Sequence, residues 1–388
     1  MSRSFGGIAV ALALLLATCS AGSSALALSQ PITDPTFRGN AARTGEQPGP
    51  GPLGEPTLRW RFETSGPVVV CAAVAAGVVY AGSWDHFLYA IDATTGRERW
   101  RFEAGAGFFS SPTIHNGVLF AGGNDGVLYA IDTARGTERW RFAAAGPIWS
   151  SPVVVDGVVF VGSVDGMLYA LDVERGQPVW HLDTGGAIWS SSPAIANGVV
   201  FIGAFAPTAG GLGKLIAVDA ASGIERWSAV TASPIYNSPA VAGDSVYVSS
   251  HDGELHALVA GSGRERWRYR SVQGIGSSPA ISGGRVFVTS RDGYLDAIDA
   301  ATGTVDWRTG FSEKLGSSPM VSGDRVYSKS TRGGVTAFDT ASGAIVWVFE
   351  TGAEAGSSPT IVDGTVYVGA GRDYGGQGEG FLFAIGGS

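Results

Sequence analysis

The chain has 388 residues, including 59 glycines and 18 prolines, and only 15 % of its residues are charged. Hydrophobic residues make up 45 %, which excludes an intrinsically disordered chain, because such chains lack the apolar surface that offsets the entropy of ordering. The formal net charge of −8 argues against a nucleic-acid-binding protein, for which a basic surface is expected. The composition is typical of an all-β protein with many tight turns.

The N-terminus has the features of an export signal. Arg3 supplies a positive charge, and residues 8–17 (IAVALALLLA) form an apolar run too short to span a bilayer. Two processing routes stay open. Residues 25–27 (ALA) predict a signal peptide over residues 1–27, whereas residues 16–19 (LATC) resemble a bacterial lipobox that ends the signal before a lipidated Cys19, apart from its threonine. Either route predicts an extracytoplasmic protein that is secreted, periplasmic or lipid-anchored at the cell envelope.

We expect residues 28–56 to form an extended N-terminal leader and residues 57–388 to form one repeat domain. Within that domain each unit carries Ser-Ser-Pro, an apolar stretch, a turn pair such as Asp-Gly, a second apolar run, and a third run that leads to Glu-Arg-Trp. In the third unit these signals predict strands over residues 151–155, 158–162, 167–172 and 178–183. The repeated tryptophans are Trp60, Trp100, Trp140, Trp180, Trp227, Trp267, Trp307 and Trp347.

Four antiparallel strands in each repeat of about 40 residues are the signature of a β-propeller. Seven units are complete, and an eighth ends near Ile385 without its fourth strand. A matching strand, with its tryptophan, stands at the other end of the domain as residues 58–62 (LRWRF). The sequence therefore predicts an all-β, eight-bladed propeller of four-stranded antiparallel blades, with its ring closed by the N-terminal strand. Closure removes the free sheet edges that invite aggregation.

The strand order also predicts which loops share one face of the ring. The loop between the second and third strands and the loop that enters the next blade should surround one mouth of the central channel. Trp84, Trp149 and Trp189, the tryptophans outside the repeated position, fall on these loops, as do Phe109 and Tyr236. We predict a mouth that is aromatic on this side and basic on the other, where the candidates are Arg291, Lys314, Lys329, Arg332 and Arg372.

Two interpretations of the mouth stay open. The aromatic side chains can pack on one another beside solvated arginines, or they can line a pocket for a planar or anionic ligand or for a peptide segment. Two insertions, residues 204–211 and 370–380, fall on the same mouth and are candidates for a lid.

The other polar motifs are weaker. Asp125, Asp165, Asp252 and Asp292 each precede a glycine, which turn chemistry explains. The five histidines are scattered, so we predict neither a metal site nor catalytic residues. Once Cys19 is cleaved off or lipidated, Cys71 has no partner for an intramolecular disulfide, and we expect it to pack as a small hydrophobic residue.

Residues 90–100 (AIDATTGRERW) resemble the tryptophan-docking motif A-x-D-x-x-x-G-x-x-x-W of quinoprotein-type, or PQQ-like, β-propellers. The motif recurs six more times in register, and only the copy at residues 257–267 departs from it, with Val259 in place of aspartate. The resemblance implies a structural role, in which the glycine allows a tight turn, the aspartate binds turn amides and the tryptophan packs between blades. Residues 37–45 (FRGNAARTG) resemble the leader that is found before many bacterial PQQ-like repeats of unassigned function.

The resemblance brings two kinds of relatives. Family enzymes bind pyrroloquinoline quinone (PQQ) with calcium in the mouth, oxidise alcohols or sugars, and stack the quinone between a tryptophan and a disulfide of adjacent cysteines. This chain has no adjacent cysteines and no clear calcium ligands, so no catalytic residue carries over, although Trp149 or Trp189 would supply a stacking face. Other relatives are non-enzymatic exported propellers similar to the outer-membrane assembly lipoprotein BamB.

We therefore predict an exported, non-catalytic binding or scaffold module that acts at the channel mouth and needs no cofactor. Its expected partner is an envelope protein or a small planar or anionic ligand, with no nucleic acid, and with membrane contact only through a lipid anchor. We expect a monomer. The alternatives are a PQQ-dependent alcohol or sugar dehydrogenase, with PQQ and calcium as cofactors, and an extracytoplasmic ligand sensor.

Overall fold

The computed structural model describes residues 35–387, apart from residues 53, 207–210, 311–316, 355–356 and 372–377. The export signal with Cys19, the basic candidates Lys314 and Arg372, and the tips of both insertions lie outside the described residues. Every regular element in the described part is a β-strand, and this part contains no helix long and apolar enough to cross a membrane.

The chain enters the fold through two strands, β1 (Glu46–Gln47) and β2 (Pro56–Thr64), and then builds one blade after another. Blade 1 consists of β3 (Ala73–Ala75), β4 (Val78–Gly82), β5 (Phe87–Asp92) and β6 (Glu98–Glu103). Blade 2 consists of β7 (Thr113–His115), β8 (Val118–Gly122), β9 (Val127–Asp132) and β10 (Glu138–Ala143). Blade 3 consists of β11 (Val153–Val155), β12 (Val158–Gly162), β13 (Met167–Asp172) and β14 (Pro178–Asp183). Blade 4 consists of β15 (Ala194–Ala196), β16 (Val199–Ala206), β17 (Leu212–Asp219) and β18 (Glu225–Thr231).

The second half of the ring repeats this plan. Blade 5 consists of β19 (Ala240–Ala242), β20 (Ser245–Ser249), β21 (Glu254–Val259) and β22 (Glu265–Arg270). Blade 6 consists of β23 (Ala280–Ser282), β24 (Arg285–Thr289), β25 (Tyr294–Asp299) and β26 (Val305–Gly310). Blade 7 consists of β27 (Met320–Ser322), β28 (Arg325–Lys329), β29 (Gly334–Asp339) and β30 (Ile345–Glu350), with β1 added to it in parallel. Blade 8 consists of β31 (Thr360–Val362), β32 (Thr365–Gly371), β33 (Gly380–Gly387) and β2.

The turn signals of the third unit close the hairpins that the sequence predicts. Asp156 and Gly157 both have left-handed backbone angles, with φ of 50° and 76°, as a two-residue turn between twisted antiparallel strands requires. Three of the four predicted strands of this unit have the predicted bounds, and the first begins two residues later, at Val153. Ser151 and Pro152 come before that strand and have another role, described below.

The ring closes through the N-terminal strand, which confirms the predicted architecture. β2 pairs antiparallel with β33 along its length, from Pro56 opposite Gly387 to Thr64 opposite Gly380. The last blade is therefore made from both ends of the domain, and apolar side chains continue across its two junctions with blades 7 and 1. In the described part of the chain, a cluster of buried apolar side chains fills each of the eight junctions between neighbouring blades, as the stacking of repeats requires.

The repeated tryptophans pack between successive blades. In seven of them the indole N–H donates to a backbone carbonyl oxygen of the next blade at 2.8–3.1 Å. The indole ring of each of these seven tryptophans also lies against the glycine in the docking turn of the next blade. A Cβ atom at Gly96 would lie 2.7 Å from the ring of Trp60, and the φ of +70° at this glycine is itself unfavourable for other residues. These contacts require glycine in the docking motif.

Candidate functional site

The Ser-Ser-Pro triplets build a ring of hydrogen bonds around the channel. In blades 2 to 7 the backbone N–H of the last serine before the proline donates to the hydroxyl oxygen of the equivalent serine in the next blade at 2.9–3.0 Å. Cys71 occupies this position in blade 1, where its N–H donates to Ser111 and its sulfur is hydrogen-bonded by Ser358. The predicted burial of Cys71 is confirmed, since the residue is 6 % exposed, and this burial raises the pKa of its thiol. The ring members are Cys71, Ser111, Ser151, Ser192, Ser238, Ser278, Ser318 and Ser358.

The first serine of the triplet ties the strands within one blade. The Ser110 hydroxyl accepts from the N–H of Gly122 at 3.1 Å, and equivalent bonds recur in other blades. The two serines thus fix the position of the loop that enters the blade from the mouth in blades 2, 3, 4, 6, 7 and 8. A rigid rim of this kind places the side chain just before the triplet at a similar position in each blade.

The N-terminal leader occupies the channel that the innermost strands surround. Its backbone carbonyls accept from the central amides of these strands in blades 2, 4, 5, 6 and 7 at 2.6–2.9 Å: Pro35 from Ile114, Ala41 from Ile195, Ala42 from Val241, Thr44 from Ile281, and Gly45 from Val321. The leader therefore satisfies backbone donors that would otherwise face the channel unpaired. The mouth opens onto a floor made partly of the leader.

Two arginines fix the leader in place. Arg43 is fully buried, and its guanidinium donates to the carbonyl oxygens of Pro193, Ser151 and Pro152 at 3.0, 3.0 and 2.8 Å. Arg38 is 1 % exposed and donates to the carbonyl oxygen of Pro279 at 2.5 Å. Burial lowers the pKa of Arg38 to about 10 and that of Arg43 to about 9, so both remain charged at neutral pH. Residues 37–45, which had no assigned role, thus act as a structural plug.

The predicted aromatic residues meet at the mouth in one continuous row. Ring centroids are separated by 4.5 Å between Trp84 and Phe109, 5.5 Å between Phe109 and Trp149, 5.2 Å between Trp149 and Trp189, and 5.9 Å between Trp189 and Tyr236. The row ends at His251, whose ring lies 5.5 Å from that of Tyr236. We call Trp84, Phe109, Trp149, Trp189, Tyr236 and His251 the aromatic arc. It runs over the loops of blades 1 to 5.

The arc is both self-packed and accessible, so features of the two sequence interpretations coexist. Trp189 is 37 % exposed, while Trp84, Phe109, Trp149 and Tyr236 are partly exposed. The indole N–H of Trp149 donates to Oδ1 of Asn124 at 2.8 Å, which orients its ring. A planar ligand held between two rings would need about 7 Å between them, twice the normal contact distance. The spacings within the arc are shorter, so in this conformation a ligand would lie on the arc rather than between its members.

The basic side of the mouth is smaller than the sequence predicts. Arg291 and Arg332 are exposed. The prediction for Lys329 is wrong: its side chain is fully buried, and its Nζ donates to the carbonyl oxygen of Gly369 at 2.7 Å. Burial lowers the pKa of Lys329 to about 7. A lysine at a strand end gives no sequence signal that separates an exposed side chain from one directed into a blade junction.

Three of the four turn aspartates make the turn contact that the sequence predicts, and at the fourth, Asp292, the N–H two residues later donates to Oγ of Ser290 instead. Oδ1 of Asp125, Asp165 and Asp252 accepts from the backbone N–H two residues later at 2.9–3.1 Å. Sequence reasoning missed a cluster at one of these turns, where Asp252 and Glu254 lie beside His256. The available signal was the spacing Asp-x-Glu-x-His, because strand alternation places Glu254 and His256 on one face of β21 and Asp252 lies in the turn just before it.

The opposite face of the ring has a different concave feature. A cavity of about 490 Å³ lies between blades 5 and 6, and the leader residues Thr44 and Glu46 contribute to its lining. It lacks the aromatic side chains that distinguish the mouth, apart from Tyr247. We therefore treat the mouth as the candidate site.

The sequence of the chain matches one known protein family over most of its length. The family described as outer membrane protein assembly factor BamB matches residues 53–181, 113–238, 181–274, 211–311 and 251–380, which together span nearly all of the propeller. The chain belongs to this family. The matches overlap because each can begin at a different blade of the repeat. No curated protein matches the chain.

Solved structures share the fold of this BamB-family chain at low identity. BamB from Moraxella catarrhalis is 20 % identical, with a TM-score of 0.68 over 84 % of this chain and 97 % of that one. Quinohemoprotein alcohol dehydrogenase from Comamonas testosteroni is 16 % identical, with a TM-score of 0.77 over 93 % of this chain and 81 % of that one. A computationally designed protein, Ika8, is 15 % identical, with a TM-score of 0.71 over 86 % and 100 %. An assembly factor, an enzyme and a design share the fold, so function must be argued from the mouth.

Proposed function

We propose that this BamB-family chain is an exported, non-catalytic module that binds an extended segment of an envelope protein along its aromatic arc. The observation that carries the proposal is the unbroken contact of six rings over the loops of five successive blades. Aromatic side chains on a rigid scaffold provide large contact areas at a low cost in conformational entropy, and they are enriched in binding hot spots.

The shape of the arc favours a polypeptide over a small ligand. A single planar molecule would cover one or two rings, whereas an extended peptide advances about 3.3 Å per residue and can contact the whole row. The exposed residue Arg291 lies on a loop of blade 6, beyond the arc, and fits a segment with an acidic residue at one end. Membership of the BamB family supports a partner and a location in the cell envelope.

The chain itself offers a test with a matched control. In affinity capture from the envelope fraction, the double variant Trp149→Ala and Trp189→Ala should lose partners that the wild type retains, as quantified by mass spectrometry. The control is Ile224→Ala, which removes a 67 % exposed apolar side chain from a docking turn on the opposite face. Capture unchanged by the double variant would contradict the proposed site.

The alternative, a PQQ-dependent dehydrogenase, is supported by likeness of fold. Under our proposal, purified protein given PQQ and calcium shows no saturable, dye-linked oxidation of alcohols or sugars. Saturable oxidation that is lost in Trp149→Ala would overturn the proposal and favour the enzyme.

A further inference from the structure

Because the blades are repeats, the turn before the third strand can be compared from one blade to the next. In blades 1, 2 and 3 the aspartate of the turn before the third strand accepts a hydrogen bond from a tyrosine four residues later. The Oδ2–Oη distances are 2.8 Å for Asp85 and Tyr89, 2.6 Å for Asp125 and Tyr129, and 2.8 Å for Asp165 and Tyr169. In blade 6 a different side chain does the same, since Arg308 donates to Oδ2 of Asp292 at 2.9 Å. In each case Oδ2 of the aspartate has a partner.

Blade 5 departs from this plan at two positions. His256 replaces the tyrosine, and Glu254 stands where blades 1 to 3 have Phe87, Val127 and Met167. His256 is 6 % exposed. Oδ2 of Asp252 and Nε2 of His256 are both buried, and neither has a hydrogen-bond partner among the described residues. Leaving two such atoms unsatisfied costs free energy, which points to a missing ligand.

The unsatisfied atoms converge. One ligand atom from each of Asp252, Glu254 and His256 lies within 4.8 Å of the other two. Nε2 of His256 is 3.8 Å from Oε2 of Glu254, which is too long for a hydrogen bond. A cation placed between these atoms would give Oδ2 of Asp252 and Nε2 of His256 a bond that the described residues do not supply, and Glu254 would complete the set.

The imidazole is already oriented for this role. Nδ1 of His256 is 3.1 Å from Oε2 of Glu265 on the neighbouring strand β22, so Nδ1–H can donate to the carboxylate and leave Nε2 as the free acceptor. A carboxylate behind a ligating histidine is the usual arrangement in metal sites, where it fixes the tautomer and strengthens the ligand.

Protein cations compete with a bound ion only weakly. Arg268 and Arg270 lie 3.5 and 3.9 Å from the Glu254 carboxylate, and their side chains are 58 % and 68 % exposed. Ion pairs with such exposure contribute little to stability. Arg268, the counterpart of Arg308 in blade 6, makes its shorter contact with Glu265, at 2.8 Å.

We propose that Asp252, Glu254 and His256 of blade 5 bind one divalent transition-metal ion, for which Zn²⁺ is the best fit. Imidazole nitrogen and carboxylate oxygen are both ligands of Zn²⁺, and three protein ligands leave a fourth tetrahedral position for water. The site belongs to the last blade of the aromatic arc. Its first residue, Asp252, directly follows His251, the final member of the arc.

The test is calorimetric titration of Zn²⁺ into the untagged, metal-stripped mature chain. We expect one equivalent to bind, and binding at least about tenfold weaker in His256→Tyr, which recreates the Asp–Tyr pair of blades 1 to 3. Asp252→Asn, which keeps the size of the side chain, should weaken binding similarly. His181→Ala, which removes an exposed histidine on β14, is the matched control and should bind as the wild type does.

Thermal unfolding provides a second measurement and a check on folding. Zn²⁺ should raise the Tm of the wild type and of His181→Ala, but not that of His256→Tyr. The proposal is overturned if the wild type takes up no Zn²⁺ at millimolar concentration, or if His256→Tyr and Asp252→Asn both bind as tightly as the wild type. Either failure would leave the proposal for the aromatic arc unaffected.

Discussion

Lys329 shows how one residue can link the stability of this propeller to pH. Its side chain is fully buried at the end of β28, next to the mouth, and burial lowers the pKa of the amine from 10.5 to about 7. Between these two pKa values the unfolded chain binds a proton that the folded protein does not bind. The free energy of unfolding should therefore rise with pH across this interval, and below it the protein carries the full cost of a buried charge.

The prediction concerns the difference in the free energy of unfolding between the wild type and Lys329→Met. The free energy of unfolding of the wild type relative to Lys329→Met should rise by about 1.4 kcal/mol per pH unit between roughly pH 7.5 and 9.5. Urea denaturation at several pH values measures it, and subtraction of the variant removes the contribution of every other titrating group. Parallel pH profiles for the two proteins would show that the amine keeps its ordinary pKa when folded.

Among the elements of the fold, the leader is the segment that links the innermost strands of several blades by hydrogen bonds. Its carbonyls pair with innermost strands of five blades, and Arg43 adds contacts with a sixth. Arg38 and Arg43 adopt left-handed backbone angles, with φ of 61° and 58°, which residues other than glycine rarely adopt. Such angles persist only where surrounding contacts outweigh the strain, as the buried guanidinium contacts do here.

Removing one of these guanidiniums should be costly. Arg43→Met leaves the carbonyl oxygens of Pro193, Ser151 and Pro152 without this donor, and we expect a loss of at least about 3 kcal/mol in the free energy of unfolding. The matched control is Arg135→Met, whose side chain is 76 % exposed, with an expected change within about 0.5 kcal/mol. Equal stability of the two variants in guanidinium denaturation would show that the leader does not brace the ring.

The leader also marks a limit of what the sequence can predict. The repeat has a period and a docking motif, so its strands, turns and blade count follow from pattern alone. Residues 37–45 have no period and little hydrophobic patterning, and their partners in the blades are backbone carbonyls and amides 108 to 281 residues away. No local rule predicts such pairings. Burial of Lys329 escaped prediction for the same reason, since its acceptor belongs to another blade.

At the scale of the whole molecule, closure through β2 makes the eight blades one cooperative ring. Trp60 at the seam and Trp100 at an ordinary junction make equivalent contacts, with indole N–O distances of 2.8 and 2.9 Å to the next blade. In a closed ring there is no end from which unfolding can begin independently.

Two tryptophan variants test this closure. Trp60→Ala and Trp100→Ala should each lose about 3 to 5 kcal/mol and should each unfold in one transition, because every junction belongs to the same unit. Calorimetry and circular dichroism measure both. A separate early transition in Trp60→Ala but not in Trp100→Ala would show that blade 8, where β2 pairs with β33, unfolds independently of the other blades.

The mouth was partly predictable at this scale. Strand order placed Trp84, Phe109, Trp149, Trp189 and Tyr236 on one rim because loop faces follow from topology. The ring contacts among them, and the closed spacing that leaves no gap for a planar ligand, depend on side-chain conformations set by packing. The Asp252–Glu254–His256 cluster was missed because each residue, taken singly, is explained by turn or strand chemistry.

Site-specific photo-cross-linking in the envelope tests the central claim most directly. A photoreactive phenylalanine at Phe109 or Tyr236 of the arc, or at the exposed Ile224 on the opposite face, reports which surface lies against a partner. We expect the same discrete protein adduct from both arc positions and none from Ile224. An adduct from Ile224 alone, or equal labelling from all three positions, would contradict binding at the aromatic arc.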